Sequence, residues 1–314
     1  MKKNSKIYVA GHDGMVGTQL MSKLKKTGYK NLIYKNEKQL DLTKQTGVND
    51  FFKKSTPEYV FLLAAKLGGI ADKIKYPAEY LYENLMIQNN VIMASHIYGV
   101  KKLLFVGSAS AYPANCEQPM KEEFLMMGPL SKTEESYGLA KISGIKLCEK
   151  ISEEYNKKFI TCMPTNIYGA GCNFDNPETL QVIPSLIYKM HKAKTEQLDS
   201  VDIWGSGKAI RDFVYVDDVA AAIIFLMKYY ESTEPLNISN TQTMSISDLA
   251  KTIKKIVGFE GCLKFDTSKP EGIPIRTLDS SKLASAGFSC EVDIELGVKK
   301  TYEYYLNYLK KKHV

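Results

Sequence analysis

The sequence predicts an α/β fold, with a doubly wound parallel sheet and a smaller, partly interleaved C-terminal domain. Three observations predict it. Short apolar runs alternate with longer helical patterns from residue 6 to residue 163. A glycine cluster, Gly11-His12-Asp13-Gly14-Met15-Val16-Gly17, directly follows the first of those runs. After Gly169 the alternation loosens, and turn-forming residues gather at 173–177 and 268–274. Strands spaced by helices form βαβ units, which build a parallel sheet.

Taken in order, 6–10 (KIYVA) reads as a short buried strand and 18–26 as the helix after it. A second strand spans 31–34. The run 58–65 (EYVFLLAA) is apolar almost throughout, as a central parallel strand covered on both faces should be. A long helix is expected over 77–98, a fourth strand over 102–106, a second long helix over 137–155 and a fifth strand over 159–163. The first domain is therefore placed at 1–169 and the second at 170–314. The 214–229 stretch reads as a strand followed by an apolar helix, so 213–238 is expected to rejoin the first domain.

A chain of 314 residues suggests about two domains and buries a large core without disulfides. Its 44% hydrophobic and 25% charged residues are ordinary for a globular protein. The longest strongly apolar run, 219–227, falls well short of the roughly 20 residues of a membrane span. Polar His12 and Asp13 interrupt the start too early for a signal peptide. The cysteines at 116, 148, 162, 172, 262 and 290 have no ligand spacing, which fits reduced thiols in the cytoplasm. His12, His96, His191 and His313 are dispersed, and no metal site is expected. The net charge of +7 is spread over scattered lysines, not gathered into a nucleic-acid stripe. An anionic small-molecule ligand is the sharper reading of that charge.

The glycine cluster has a physical reading. Gly11 permits a tight turn, Gly14 lets backbone approach a pyrophosphate, and Gly17 lets the helix pack closely on the strand. The helix N-terminus then offers free N–H groups and the positive end of its dipole. This is a Rossmann-type dinucleotide loop in its required context. The residues after the second strand leave the choice of NADP or NAD open. Lys35 and Lys38 favour a 2′-phosphate, while Asp13 and Glu37 oppose one.

Tyr137 and Lys141 form a YxxxK pair on one face of a predicted helix. An ammonium beside a phenol is expected to lower its pKa, so that the tyrosine serves as acid or base. Ser108, just past the fourth strand, can hold a substrate oxygen. YxxxK alone is an ordinary helix face in a chain rich in Tyr and Lys. The glycine loop upstream and the serine at the strand end make the joint pattern specific.

Over nearly its whole length the sequence resembles the extended short-chain dehydrogenase/reductases, and among them the GDP-L-fucose synthase subfamily. The segments that carry the resemblance include VAGHDGMVG at 9–17, AAKLGGI at 64–70, YPAEYLYEN at 76–84, KLLFVGSASAYP at 102–113 and YGLAKISGIKLCE at 137–149. MPTNIYG at 163–169, VIPSLI at 182–187, WGSGKAIRDFVYVDD at 204–218 and FDTSKPEGIP at 265–274 extend it. The resemblance implies that Tyr137 donates a proton to a C4 ketone, with Lys141 on the nicotinamide ribose and Ser108 on the carbonyl oxygen. It implies NADP(H), held by Gly11, Gly14, Met15, Val16, Gly17, Lys35, Asp41, Leu42, Ala64, Ala65, Val106, Lys141, Pro164, Asn166 and Ile167, with NAD(H) still open. It implies a GDP-4-keto sugar against Ser108, Ser110, Asn166, Gln181, Val182, Lys189, Trp204, Arg211 and Arg276. It further implies a homodimer joined through helices around 84–99 and 137–155, and a place in nucleotide-sugar biosynthesis for surface polysaccharide.

The departures narrow the expectation. The subfamily's epimerising cysteine, two residues after the serine, is Ser110 here, and its histidine before Val-Ile-Pro is Gln181. A hydroxyl is a far poorer base than a thiolate, and an amide does not titrate near neutral pH. The expected activity is thus C4-ketoreduction of a 6-deoxyhexose or heptose without 3,5-epimerisation. The alternatives are a bifunctional epimerase/reductase, a nucleotide-sugar 4-epimerase with retained NAD, and a non-catalytic dinucleotide sensor. A nucleotide-contacting arginine of the subfamily stands as Cys262, and its basic pair after the Pro-Glu-Gly turn reads Ile275-Arg276.

Overall fold

The computed structural model describes residues 1–177, 180–269 and 272–312, without the side chains of 70 and 71. Pro270 and Glu271 of the expected Pro-Glu-Gly turn, and His313, lie outside the described residues. In chain order the elements begin β1 (Ile7–Ala10), α1 (Met15–Lys26), β2 (Leu32–Ile33), α2 (Gln45–Ser55), β3 (Tyr59–Leu62), α3 (Ile70–Lys75), α4 (Pro77–Ile97) and β4 (Lys102–Val106). Next come α5 (Glu135–Tyr155), β5 (Lys158–Pro164), β6 (Asn166–Tyr168), α6 (Val182–Thr195), β7 (Ser200–Trp204), β8 (Ile210–Tyr215) and α7 (Val216–Tyr229). The chain continues through β9 (Leu236–Ile238), β10 (Thr243–Ser245), α8 (Ile246–Val257), β11 (Cys262–Asp266), β12 (Ile275–Arg276), α9 (Ser281–Ser285) and α10 (Ile294–Lys312).

Six parallel strands form the larger sheet in the order β2-β1-β3-β4-β5-β9. Helices cover both faces, which is why its strands are apolar on both sides. On one face Leu20, Met21 and Leu24 of α1 meet Ile223 and Met227 of α7. On the other, Val91 and Ile92 of α4 pack with Ile145, Cys148 and Ile151 of α5. The strand order reverses between β1 and β3, the point at which open α/β sheets bind ligands beyond their carboxyl ends.

The helix read as 18–26 begins at Met15, because Gly14 is its N-cap and the glycine loop runs straight into the first turn. The strand read as 58–65 ends at Leu62, where the amides of Leu63 and Ala64 both turn to the Ala10 carbonyl.

The smaller unit is built around β8, which pairs with β6 and β12 in parallel and with β10 antiparallel. Strands β7 and β11 make a separate parallel pair. Ile183, Ile187, Leu249, Ile253 and Val298 give α6, α8 and α10 a shared core. Of the segment 213–238, α7 and β9 lie with the larger sheet, whereas β8 belongs to the smaller one. Among the described residues no helix is long and apolar enough to cross a membrane, and no group of His, Cys, Asp or Glu could hold a metal.

Candidate active site

The dinucleotide end is fixed by backbone contacts that exclude side chains. Gly11 has φ of +85°, and a Cβ there would sit 2.7 Å from the Ala64 nitrogen across the β1/β3 crevice. A Cβ on Gly17 would sit 2.0 Å from the Gly11 carbonyl oxygen, so α1 rests directly on the turn. No side chain caps α1 at Gly14, which leaves its first-turn N–H groups to an anion. Met15 opens the helix, with its sulfur 3.5 Å from that of Cys172, and Val16 is half-buried between the two units. Ala65 follows Ala64 along the crevice and is also half-buried. Lys35 is exposed just beyond β2. The Asp41 carboxylate accepts from the Thr43 amide and hydroxyl, bonds that hold it below the ordinary carboxylate range. The Leu42 carbonyl accepts from Asn90. These features fit a dinucleotide pyrophosphate.

The reacting end lies past β4. Ser108 Oγ accepts from the Ser110 amide at 3.1 Å and donates to Ser110 Oγ at 3.2 Å, closing a tight turn. Tyr137 enters from the first turn of α5, is 6% exposed, and shares a hydrogen bond with Ser108. Lys141, one turn later, donates to the Val106 carbonyl at 2.8 Å, and its Nζ lies 5.6 Å from the Tyr137 ring. Burial pushes Lys141 down to about 7.

One expectation is overturned here. Tyr137 was expected to have its pKa lowered by the neighbouring ammonium. Burial, with the Glu134 carboxylate second, instead raises it well above the ordinary phenol value. A dry site disfavours phenolate and ammonium alike. The resting tyrosine therefore holds its proton.

Trp204, at the end of β7, is 59% exposed and is not part of the core. The Lys189 and Lys269 ammoniums lie 5.9 and 6.0 Å from its ring. Lys189 also donates to the Asp202 carbonyl at 3.0 Å, and desolvation lowers its pKa. Arg211 lies on β8, in register with Arg276 on β12, and donates to the Ile210 carbonyl. Asn166 donates to the Asp212 carbonyl. Pro164 pairs with Ile238, and Ile167 with Val214. Gln181 is the exposed N-cap of α6, and Val182 beside it is 41% exposed.

Arg276, expected against the GDP-sugar, is engaged within the chain. Its guanidinium is bound to Glu134 and to the Ala109 carbonyl, at the serine turn. Sequence reasoning missed Glu134 and its second partner, Lys73, altogether. The only local signal was an acid three residues before Tyr137. An open depression of about 750 Å³ between the 206–210 loop and the start of α8 is lined by none of the expected site residues.

Comparison with known proteins gives this geometry a family. Residues 7–240 match the NAD dependent epimerase/dehydratase family. The chain belongs to that family. Within it, the chain is 44% identical over 313 residues to a putative GDP-L-fucose synthase 2 of Arabidopsis thaliana, covering 99% of this chain and 95% of the relative. A GDP-6-OMe-4-keto-L-xylo-heptose reductase from C. jejuni superposes with a TM-score of 0.93 at 39% identity, covering 98% of this chain and 99% of that one. A GDP-mannoheptose C4 reductase from Campylobacter jejuni, solved with NADP bound, superposes with a TM-score of 0.89 at 40% identity, with the same coverage. The family bears out the Rossmann-type fold, the resemblance to the GDP-L-fucose synthases and the reading as an oxidoreductase acting on sugar nucleotides.

Proposed function

We propose that this protein is an NADPH-dependent C4-ketoreductase of a GDP-4-keto sugar, a 6-deoxyhexose or a heptose, that does not epimerise C3 or C5. One observation carries the reading. Ser108, Tyr137 and Lys141 lie together past β4, as a reducing triad would, while the two positions of the subfamily's proton-shuttling pair hold Ser110 and Gln181. The Ser110 hydroxyl is engaged with Ser108, and neither it nor an amide works as a base near neutral pH.

The residues divide the work. NADPH, when bound, supplies the hydride to C4. Tyr137, kept protonated by its burial, donates to the C4 oxygen, and Ser108 holds that oxygen by a hydrogen bond. Lys141, which donates to the Val106 carbonyl, would hydrogen-bond the nicotinamide ribose. Trp204 offers a flat exposed face to the guanine, with Lys189 and Arg211 for the diphosphate. The larger unit thus holds the cofactor, and the smaller unit closes over the sugar nucleotide. The relative with NADP bound supports NADP(H) as the cofactor. Exposed Tyr82, Met93 and Ile97 on α4 and Leu139 and Tyr155 on α5 support a homodimer through those helices. The unpaired cysteines suit a cytoplasmic enzyme feeding surface-polysaccharide synthesis.

The test is incubation with GDP-4-keto-6-deoxymannose and NADPH, following loss of NADPH absorbance and resolving the product by NMR. A C4 alcohol with C3 and C5 unchanged is expected. A product inverted at both carbons would establish the bifunctional activity instead.

A further inference from the structure

The Glu134 side chain, at the N-cap of α5, is 14% exposed yet has two cationic partners. Lys73 of α3 donates to one carboxylate oxygen at 3.2 Å, and Arg276 of β12 binds the other. Each cation makes a second contact at the reacting centre. The Lys73 ammonium lies 4.9 Å from the Tyr137 ring centroid. The second arm of Arg276 donates to the Ala109 carbonyl at 2.7 Å, inside the turn that carries Ser108 and Ser110. A single carboxylate therefore joins the segment after the cofactor crevice, the catalytic helix and a strand of the smaller unit.

We propose that Glu134 is a positioning residue of the reductase site, holding Lys73 over Tyr137 and tying the Ser108–Ser110 turn to β12 through Arg276. A buried carboxylate with two good cationic partners is a rigid joint, since removing the carboxylate leaves two cations unpaired, whereas removing one cation leaves a single ion pair. The joint explains how a serine on the larger unit and a strand of the smaller unit keep register. It also sets the charge around the phenol. The groups facing Tyr137 are Glu134 and Lys141 on its own helix, Lys73 and the Asp72–Tyr80 pair from α3 and α4, and neutral Ser108. Glu134 favours the protonated phenol, and Lys73 favours the phenolate.

This inference rests on reading Tyr137 as the proton donor, and the test separates the two ideas. Reduction by a tyrosine acid is lost as pH rises through the tyrosine pKa. Glu134→Gln removes an anion, so the alkaline limb of kcat is expected to move down by roughly one pH unit. Lys73→Met removes a cation, so the limb is expected to move up by a similar amount, and Lys73→Arg to restore it. A residue that merely stabilised the fold would lower activity without displacing the limbs in opposite directions. Limbs that superimpose on wild type in Glu134→Gln and Lys73→Met would overturn the proposal. Hydrogen exchange supplies a readout that needs no substrate. In Glu134→Gln, the 109–112 and 276–278 amides are expected to lose protection together, and unchanged protection would overturn the tie even if the protein reduced no GDP-sugar. Should Glu134→Gln fail to fold, Lys73→Met retains the Arg276–Glu134 pair, and its limb decides the question.

Discussion

Replacing Lys141 with methionine is expected to stabilise the cofactor-free protein while abolishing turnover. Lys141 is 3% exposed, and its one hydrogen bond acceptor among the described residues is the Val106 carbonyl. Burial lowers its pKa from 10.5 to about 7. At about 1.36 kcal/mol per pH unit, that drop represents roughly 5 kcal/mol of unfavourable charging in the folded state. Methionine removes the charge and fills a similar volume. It also forfeits a charged hydrogen bond worth about 1.5–3 kcal/mol and leaves the Val106 carbonyl unpaired. The net gain should be on the order of 2 kcal/mol, or several degrees in Tm. The gain depends on pH in a defined direction. Below about 7 both folded and unfolded chains hold the proton, and the wild type carries the full penalty. Between about 7 and 10.5 only the unfolded chain holds it, so wild-type stability climbs towards that of the variant. Thermal melts of both proteins without cofactor, taken from mildly acidic to alkaline pH, measure the difference directly. A variant less stable than wild type at acidic pH, or a gap that fails to narrow as pH rises, would refute the reasoning.

Three further outcomes are expected. Gly17→Ala places a Cβ 2.0 Å from the Gly11 carbonyl, so fluorescence titration should show NADPH binding weakened about tenfold or more, with roughly 1–3 kcal/mol lost from stability. Tyr137→Phe should lower kcat by about 10²–10⁴-fold in steady-state assays and leave the NADPH Kd unchanged, because it removes only the proton donor. Trp204→Ala should alter stability by less than about 0.5 kcal/mol, since the ring is exposed, yet raise the KM for the GDP-sugar. A stacking contact of roughly 1–3 kcal/mol corresponds to a rise of about tenfold.

The parts of the site that were legible are those whose geometry is local. Gly11, Gly14 and Gly17 sit within one turn of chain, so their spacing alone specifies the tight turn and the close helix. Tyr137 and Lys141 share a helix face by periodicity, and β4 spans the residues expected for it. What escaped depends on contacts distant in sequence. Strand β8 is as buried as a central strand, but its partners β6, β10 and β12 place it in the smaller sheet. Glu134 and Arg276 are 142 positions apart, and Lys73 lies on a six-residue helix too short to show a pattern. The pKa direction of Tyr137 escaped for a related reason. Sequence shows that Lys141 is near, but not that the pocket is dry.

The central claim is that this chain keeps the reducing machinery of its family without the proton-shuttling pair. Its most direct test is incubation of the enzyme with GDP-4-keto-6-deoxymannose in D2O without NADPH, followed by NMR or mass analysis of the recovered sugar. The account predicts no enzyme-dependent deuterium at C3 or C5, because Ser110 and Gln181 cannot abstract those protons. Deuterium incorporated at either carbon at a rate comparable to turnover would contradict it.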